Sequence, residues 1–270
     1  MGRNIGLGLG SALVIGFLSV GCSDGATDPR EAALDVNLEA LALETVGIAE
    51  DQANGSSVFP LSAGSVVSTI SAAEHGSCTF SVATGRITCP DITRGGLTIS
   101  RSYALYNAAN TAQQARDANT VKVNTQVWAR GTVATDRARV TIDRKSDLTA
   151  TGIQITSPAR TLNGTEQGSS TMEHQTPRGN LKSTVVFGDT TINLVLPQHD
   201  LTRRWPLSGT VIRSHSGTRT IEGQSGSTAF SYRSVFVYDG SNTVKITITV
   251  DGKTRTCVRN LETRASSCTP

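Results

Sequence analysis

Four of the five cysteines, the four histidines and the two tryptophans carry most of the chemistry this chain could support. Cys78 and Cys89 enclose ten residues, and Cys257 and Cys268 enclose ten more. Four cysteines allow three pairings. Each equally spaced pair brackets a plausible hairpin, so the spacing predicts disulfides Cys78–Cys89 and Cys257–Cys268. Closing so short a loop would stabilise by roughly 3 kcal/mol through chain entropy. A zinc site needs close Cys-x-x-Cys pairs or histidine partners. Ten-residue gaps supply neither, and no metal or other cofactor is expected.

Glu74-His75, Glu173-His174 and His199-Asp200 each set a histidine beside a carboxylate, while His215 stands apart. Such neighbours suit a metal, or a general base with its orienting acid. Adjacent side chains on a strand point to opposite faces, so none of these pairs makes a site alone. Exposed turn positions are the simpler reading. Other catalytic motifs are incomplete. Gly223-Gln224-Ser225-Gly226-Ser227 approaches a nucleophile elbow and lacks its last glycine. No serine stands three before any lysine, and neither a His-Glu-x-x-His helix nor a phosphate loop is present. A triad assembled from distant positions keeps a hydrolase as a third reading. Trp128 and Trp205 read as packing anchors, or as the wall of a sugar or lipid pocket. Arg203 and Arg204 would then rim that pocket beside Trp205, although a strand start with its charges in water is the simpler role.

Chemistry of a different kind lies at the start of the chain. One cation, Arg3, precedes an uncharged apolar run from Ile5 to Val20 that ends in Leu18-Ser19-Val20-Gly21-Cys22. The run is short for a membrane span, which needs about 20 residues, and has the organisation of a secretory leader. The last five residues resemble the lipobox of bacterial lipoproteins, with Ser19 where that family usually has leucine. The resemblance covers residues 1–22. It implies that Cys22 is acylated and becomes the mature N-terminus. In Gram-negative relatives an aspartate directly after the lipid cysteine retains the protein in the inner membrane. Ser23 holds that place here, with Asp24 next, which implies the outer membrane. Met1-Gly2 does not suit myristoylation, because Gly6 stands where serine or threonine is wanted. Two or more acyl chains anchor stably at about 0.8 kcal/mol per buried CH₂, so the body needs no membrane-facing surface of its own.

Beyond the leader, charge divides the chain. Residues 22–51 hold eight carboxylates against Arg30, a net −7, whereas residues 52–270 carry +9. An acidic stem therefore leads to a basic body. That body could attract anionic polymers, but its cations are scattered and not interleaved with aromatics, so nucleic acid is not expected. The acidic tether spans 22–56. Within it Leu34, Leu38, Leu41 and Thr45 share helical spacing, and Asp28 with Glu31 could cap a short helix over 30–46; a disordered stem is the alternative.

Residues 57–270 read as one antiparallel β-domain. Aromatic content is 4% and Gly, Ser and Thr are plentiful, which favours strands and turns. Period-two alternation marks Leu97 to Tyr106, Thr120 to Val133, and above all Thr243 to Val250. Further strands are expected over 65–72, 138–144, 148–155, 181–187, 191–196, 205–212, 229–238 and 253–258. Turns are expected at Asn163-Gly164, Gly188-Asp189, Ser214 to Gly217 and Asp251-Gly252, with Pro90 and Pro197 ending strands. Ten to thirteen strands at this spacing suggest a mainly β fold, either a sandwich or a curved, barrel-like sheet. The mature chain also resembles secreted bacterial lipoproteins through Arg101-Ser102-Tyr103 and Trp205-Pro206-Leu207-Ser208-Gly209-Thr210, and that resemblance implies no function.

The leading expectation is a lipid-anchored envelope protein with a non-enzymatic structural or binding domain. Its partners would be the membrane, through the anchor, and an envelope protein, glycan or lipid. A carrier holding apolar cargo inside a curved sheet is the alternative.

Overall fold

A computed structural model describes residues 78–134, 138–176, 179–198, 205–222 and 226–269. The leader, Cys22, the stem with the helix expected over 30–46, the strand expected over 65–72, His75, His199 and Arg203-Arg204 lie outside the described residues.

The described chain folds into β1 (Thr79–Ser81), β2 (Arg86–Arg94), β3 (Leu97–Asn107), β4 (Ala112–Gln113), β5 (Thr120–Ala134), β6 (Ala138–Thr151) and β7 (Ala159–Thr176). There follow β8 (Gly179–Pro197), β9 (Ser208–Ile221), β10 (Thr228–Tyr238), β11 (Thr243–Val250), β12 (Lys253–Asn260) and β13 (Ser266–Thr269). All thirteen belong to one sheet, in which each strand pairs antiparallel with the next; β4 pairs only β3, and β5 also pairs β3. The fold is mainly β, as expected. It is a single curved meander rather than two stacked sheets, and among the described residues β1 and β13 are its edge strands.

Strand alternation places every second residue inward. Leu105, Val123, Ala150, Leu162 and Leu194 are successive register partners and all are buried. Val211, Phe236, Ile246 and Cys257 continue that apolar band on the later strands. Phe236 is 0% exposed, and burying one such ring contributes roughly 1.5–3 kcal/mol. Aliphatic side chains and a few aromatics supply the core.

Several expected boundaries move, each for a local reason. Asn163-Gly164 is not a hairpin turn. It lies inside β7, at a register shift opposite β8, where the Asn163 side-chain oxygen accepts the Asn193 N–H at 2.7 Å. Asn193 takes a φ of 46°, so this is a β-bulge. Gly188-Asp189 and Ser214 to Gly217 likewise sit within β8 and β9, long strands whose ladders run through them. The segments 138–144 and 148–155 merge into β6, which ends at Thr151. Pro90 does not end β2. It falls at the register shift between Cys89 and Ile92, where its missing N–H removes no ladder bond. The Asp251-Gly252 turn is as expected: φ values of 49° and 80° suit a tight two-residue reversal.

Candidate functional site

Both disulfides form between the cysteines the spacing paired, with Cα separations of 4.1 Å for Cys78–Cys89 and 4.0 Å for Cys257–Cys268. The register of the outer ladders puts each pair directly opposite. Thus one bond ties the short strand at each of these edges to its neighbour.

Histidine and carboxylate side chains meet across strands, not along them. Glu173 reaches Lys182 at 3.1 Å, while His174 takes the other face, so their adjacency makes no site. His215, which has no carboxylate beside it in the chain, receives one from β8. Its Nε2 is 3.5 Å from Asp189 Oδ1, and its Nδ1 is 2.9 Å from the Tyr232 hydroxyl on β10. Asp189 also lies 3.7 Å from the buried Arg213, and Glu166 pairs with Arg144. Strand alternation puts these residues on the parity of the apolar band, just beyond it, and His215 and Tyr232 also border the larger of two grooves on the sheet. Burial pushes the Glu166 carboxyl above the ordinary range, although the Arg144 guanidinium opposes the shift. His215 Nδ1 is engaged by the Tyr232 hydroxyl, whereas Nε2 is buried beside Asp189 Oδ1 without forming a hydrogen bond. Among the described residues no three His, Cys, Asp or Glu side chains gather to hold a metal.

The solvent-facing side holds two connected grooves, with volumes of about 920 Å³ and 470 Å³. They share Lys145 and Gln167. The row that joins them is continuous in register: Ser100, Trp128, Lys145, Gln167, Gly188, Ser214, Arg233 and Thr249. Eight strands at about 4.8 Å spacing make a trough about 34 Å long, running across the strands.

Trp128 stands next to one end, beside Ser100. It is no core anchor, since its parity is that of Lys122, Asn124 and Gln126. Its indole N–H donates to Asp143 Oδ1 at 2.7 Å. The Arg130 guanidinium and the Lys145 ammonium lie 3.9 and 4.8 Å from the ring centre, and such cation–π contacts fix the ring in place. Trp205 lines neither groove; it is half-buried, and its indole nitrogen has no hydrogen-bond partner among the described residues.

Asp189, Lys145, Gln167 and Gly188 carry no signal in the sequence taken alone. Their roles arise from register, which one strand's pattern cannot reveal. Comparison of the chain with family models, with curated proteins and with solved structures gives no match.

Proposed function

We propose that this chain is a lipid-anchored protein of the bacterial cell envelope, on the outer membrane, whose β-domain binds a partner and catalyses nothing. The observation that carries the binding role is the trough across the solvent-facing side of the sheet. A sheet that served only as packing would have no need of a continuous groove that sets hydroxyl, amide and charged groups beside Val186, Phe187 and Tyr232. Leu18 to Cys22 support the anchor, and two disulfides suit an oxidising, exported compartment. Apolar cargo finds less support, because the inward face carries Glu166, Asp189 and Arg213. Hydrolysis finds less support, because the Tyr232 hydroxyl already engages His215 Nδ1.

Metabolic labelling with an alkyne palmitate analogue tests the anchor. The native chain should take up label and stay with the membrane fraction, and Cys22→Ser should take up none. Equal labelling of both would remove the proposal.

A further inference from the structure

Gly188 sits near the middle of β8, on the floor of the larger groove. Glycine inside a strand costs about 0.5–1 kcal/mol relative to alanine. The neighbouring strand glycines have a steric reason for it. A Cβ at Gly131, Gly164, Gly168, Gly209 or Gly217 would lie 2.1–2.5 Å from a backbone oxygen. At Gly188 a Cβ would meet nothing within 4 Å, and the backbone has no left-handed φ. The fold does not demand this glycine. Its other common use in a strand is to let a ligand approach the backbone closely.

The groups around that floor specify the ligand. Ser169, Ser214, Ser216 and Ser231 offer hydroxyls and Gln167 an amide, beside the apolar surface of Val186, Phe187 and Tyr232 that the C–H faces of a sugar can cover. Each of these polar groups can both donate and accept, so the floor suits a partner rich in hydroxyls. Charges on the walls come in opposite signs, Asp143 with Lys145 and Arg233 with Asp251. A polyanion would meet two carboxylates there, whereas an uncharged chain meets no net field. The groove continues through Lys145 and Gln167 to Trp128, so the ligand is extended rather than compact.

We infer that the trough is a binding site for an uncharged glycan chain lying across the strands, with Gly188 keeping its floor open. This rests on the reading of the domain as a binding module, though not on the lipid anchor.

The test uses the mature full-length protein in detergent micelles, carrying Trp205→Phe so that Trp128 is the sole indole. Malto-, cello- and chito-oligosaccharides of increasing length are titrated by calorimetry and Trp128 emission, beside polygalacturonate and poly(A). At least one neutral series should bind, more tightly as the chain lengthens. Gly188→Arg should weaken that binding at least tenfold while leaving the melting temperature in place. Ser214→Arg, on the next strand of the same row, should do likewise should Gly188→Arg prove unstable. No binding by any neutral series overturns the inference, as does binding that ignores both arginines. Binding of poly(A) or polygalacturonate alone, weakened by salt, would make the trough a polyanion site and overturn it too. Failed palmitate labelling alongside intact glycan binding would remove the anchor and leave this site standing.

Discussion

Cys257 and Cys268 face one another across the outermost ladder among the described residues, their Cα atoms 4.0 Å apart. Cys78 and Cys89 repeat the arrangement at the opposite edge. An unpaired edge is a template for pairing with another chain, and short edge strands blunt it. β1 has three residues and β13 has four, too few to hold by hydrogen bonds alone. The disulfides keep them in place.

Replacing Cys257 and Cys268 together by serine should therefore cost roughly 3 kcal/mol in urea unfolding. It should also release β13 and leave β12 as a longer bare edge. Size-exclusion chromatography should then show concentration-dependent association that the native chain lacks. A variant that stays monodisperse would separate the bond from edge protection.

Two glycines of the sheet should respond to alanine with opposite signs. At Gly168 a Cβ would stand 2.3 Å from the Asp143 carbonyl oxygen and 2.8 Å from the Phe187 ring. Gly168→Ala should destabilise by about 1–3 kcal/mol, as overpacking does. Gly188→Ala should stabilise by about 0.5–1 kcal/mol, because the site is open and the unfolded chain loses freedom. Chemical denaturation of both variants gives the comparison.

The buried pair Arg144–Glu166 should make stability depend on pH in a stated direction. Burial raises the folded-state pKa of Glu166, so over that interval the folded chain holds a proton that the unfolded chain releases. The Glu166 contribution favours folding most below the ordinary carboxylate value of about 4.3, and is lost as pH rises through the raised folded value. Glu166→Gln should flatten this fall, and unfolding free energies between pH 4 and 7 show it. Arg144→Met should cost about 3–5 kcal/mol near neutrality by stranding the carboxylate. The loss should shrink in acid, where Glu166 is neutral.

How far the fold could be read in advance varied along the chain. Thr243 to Val250 alternates cleanly and forms β11 with those same limits, because one wet and one dry face impose a strict period of two. Asp251-Gly252 reads correctly because both residues tolerate positive φ. Asn163-Gly164 carries a similar signal and turns into a bulge, since an Asn-Gly step serves either purpose and only the partner strand decides. Gly188-Asp189 in β8 and the Ser- and Gly-rich centre of β9 look like turns for the same reason that Gly188, Ser214 and Ser216 form the groove floor: short side chains leave space above the sheet. Equal cysteine spacing gave the disulfides, whereas that they guard the two edges emerges only from strand order. The cross-strand meetings of His215 with Asp189, and of Lys145 with Trp128, depend on registers that no local pattern records.

Intact-mass spectrometry of the exported protein, purified from membranes without reductant, is the most direct test of the proposed role. The chain should begin at Cys22, carry the added mass of fatty acyl groups, and weigh four hydrogens less than its reduced form, two for each disulfide. A chain that begins elsewhere, or that begins at Cys22 with no acyl mass, would contradict the account of an envelope-anchored binding protein.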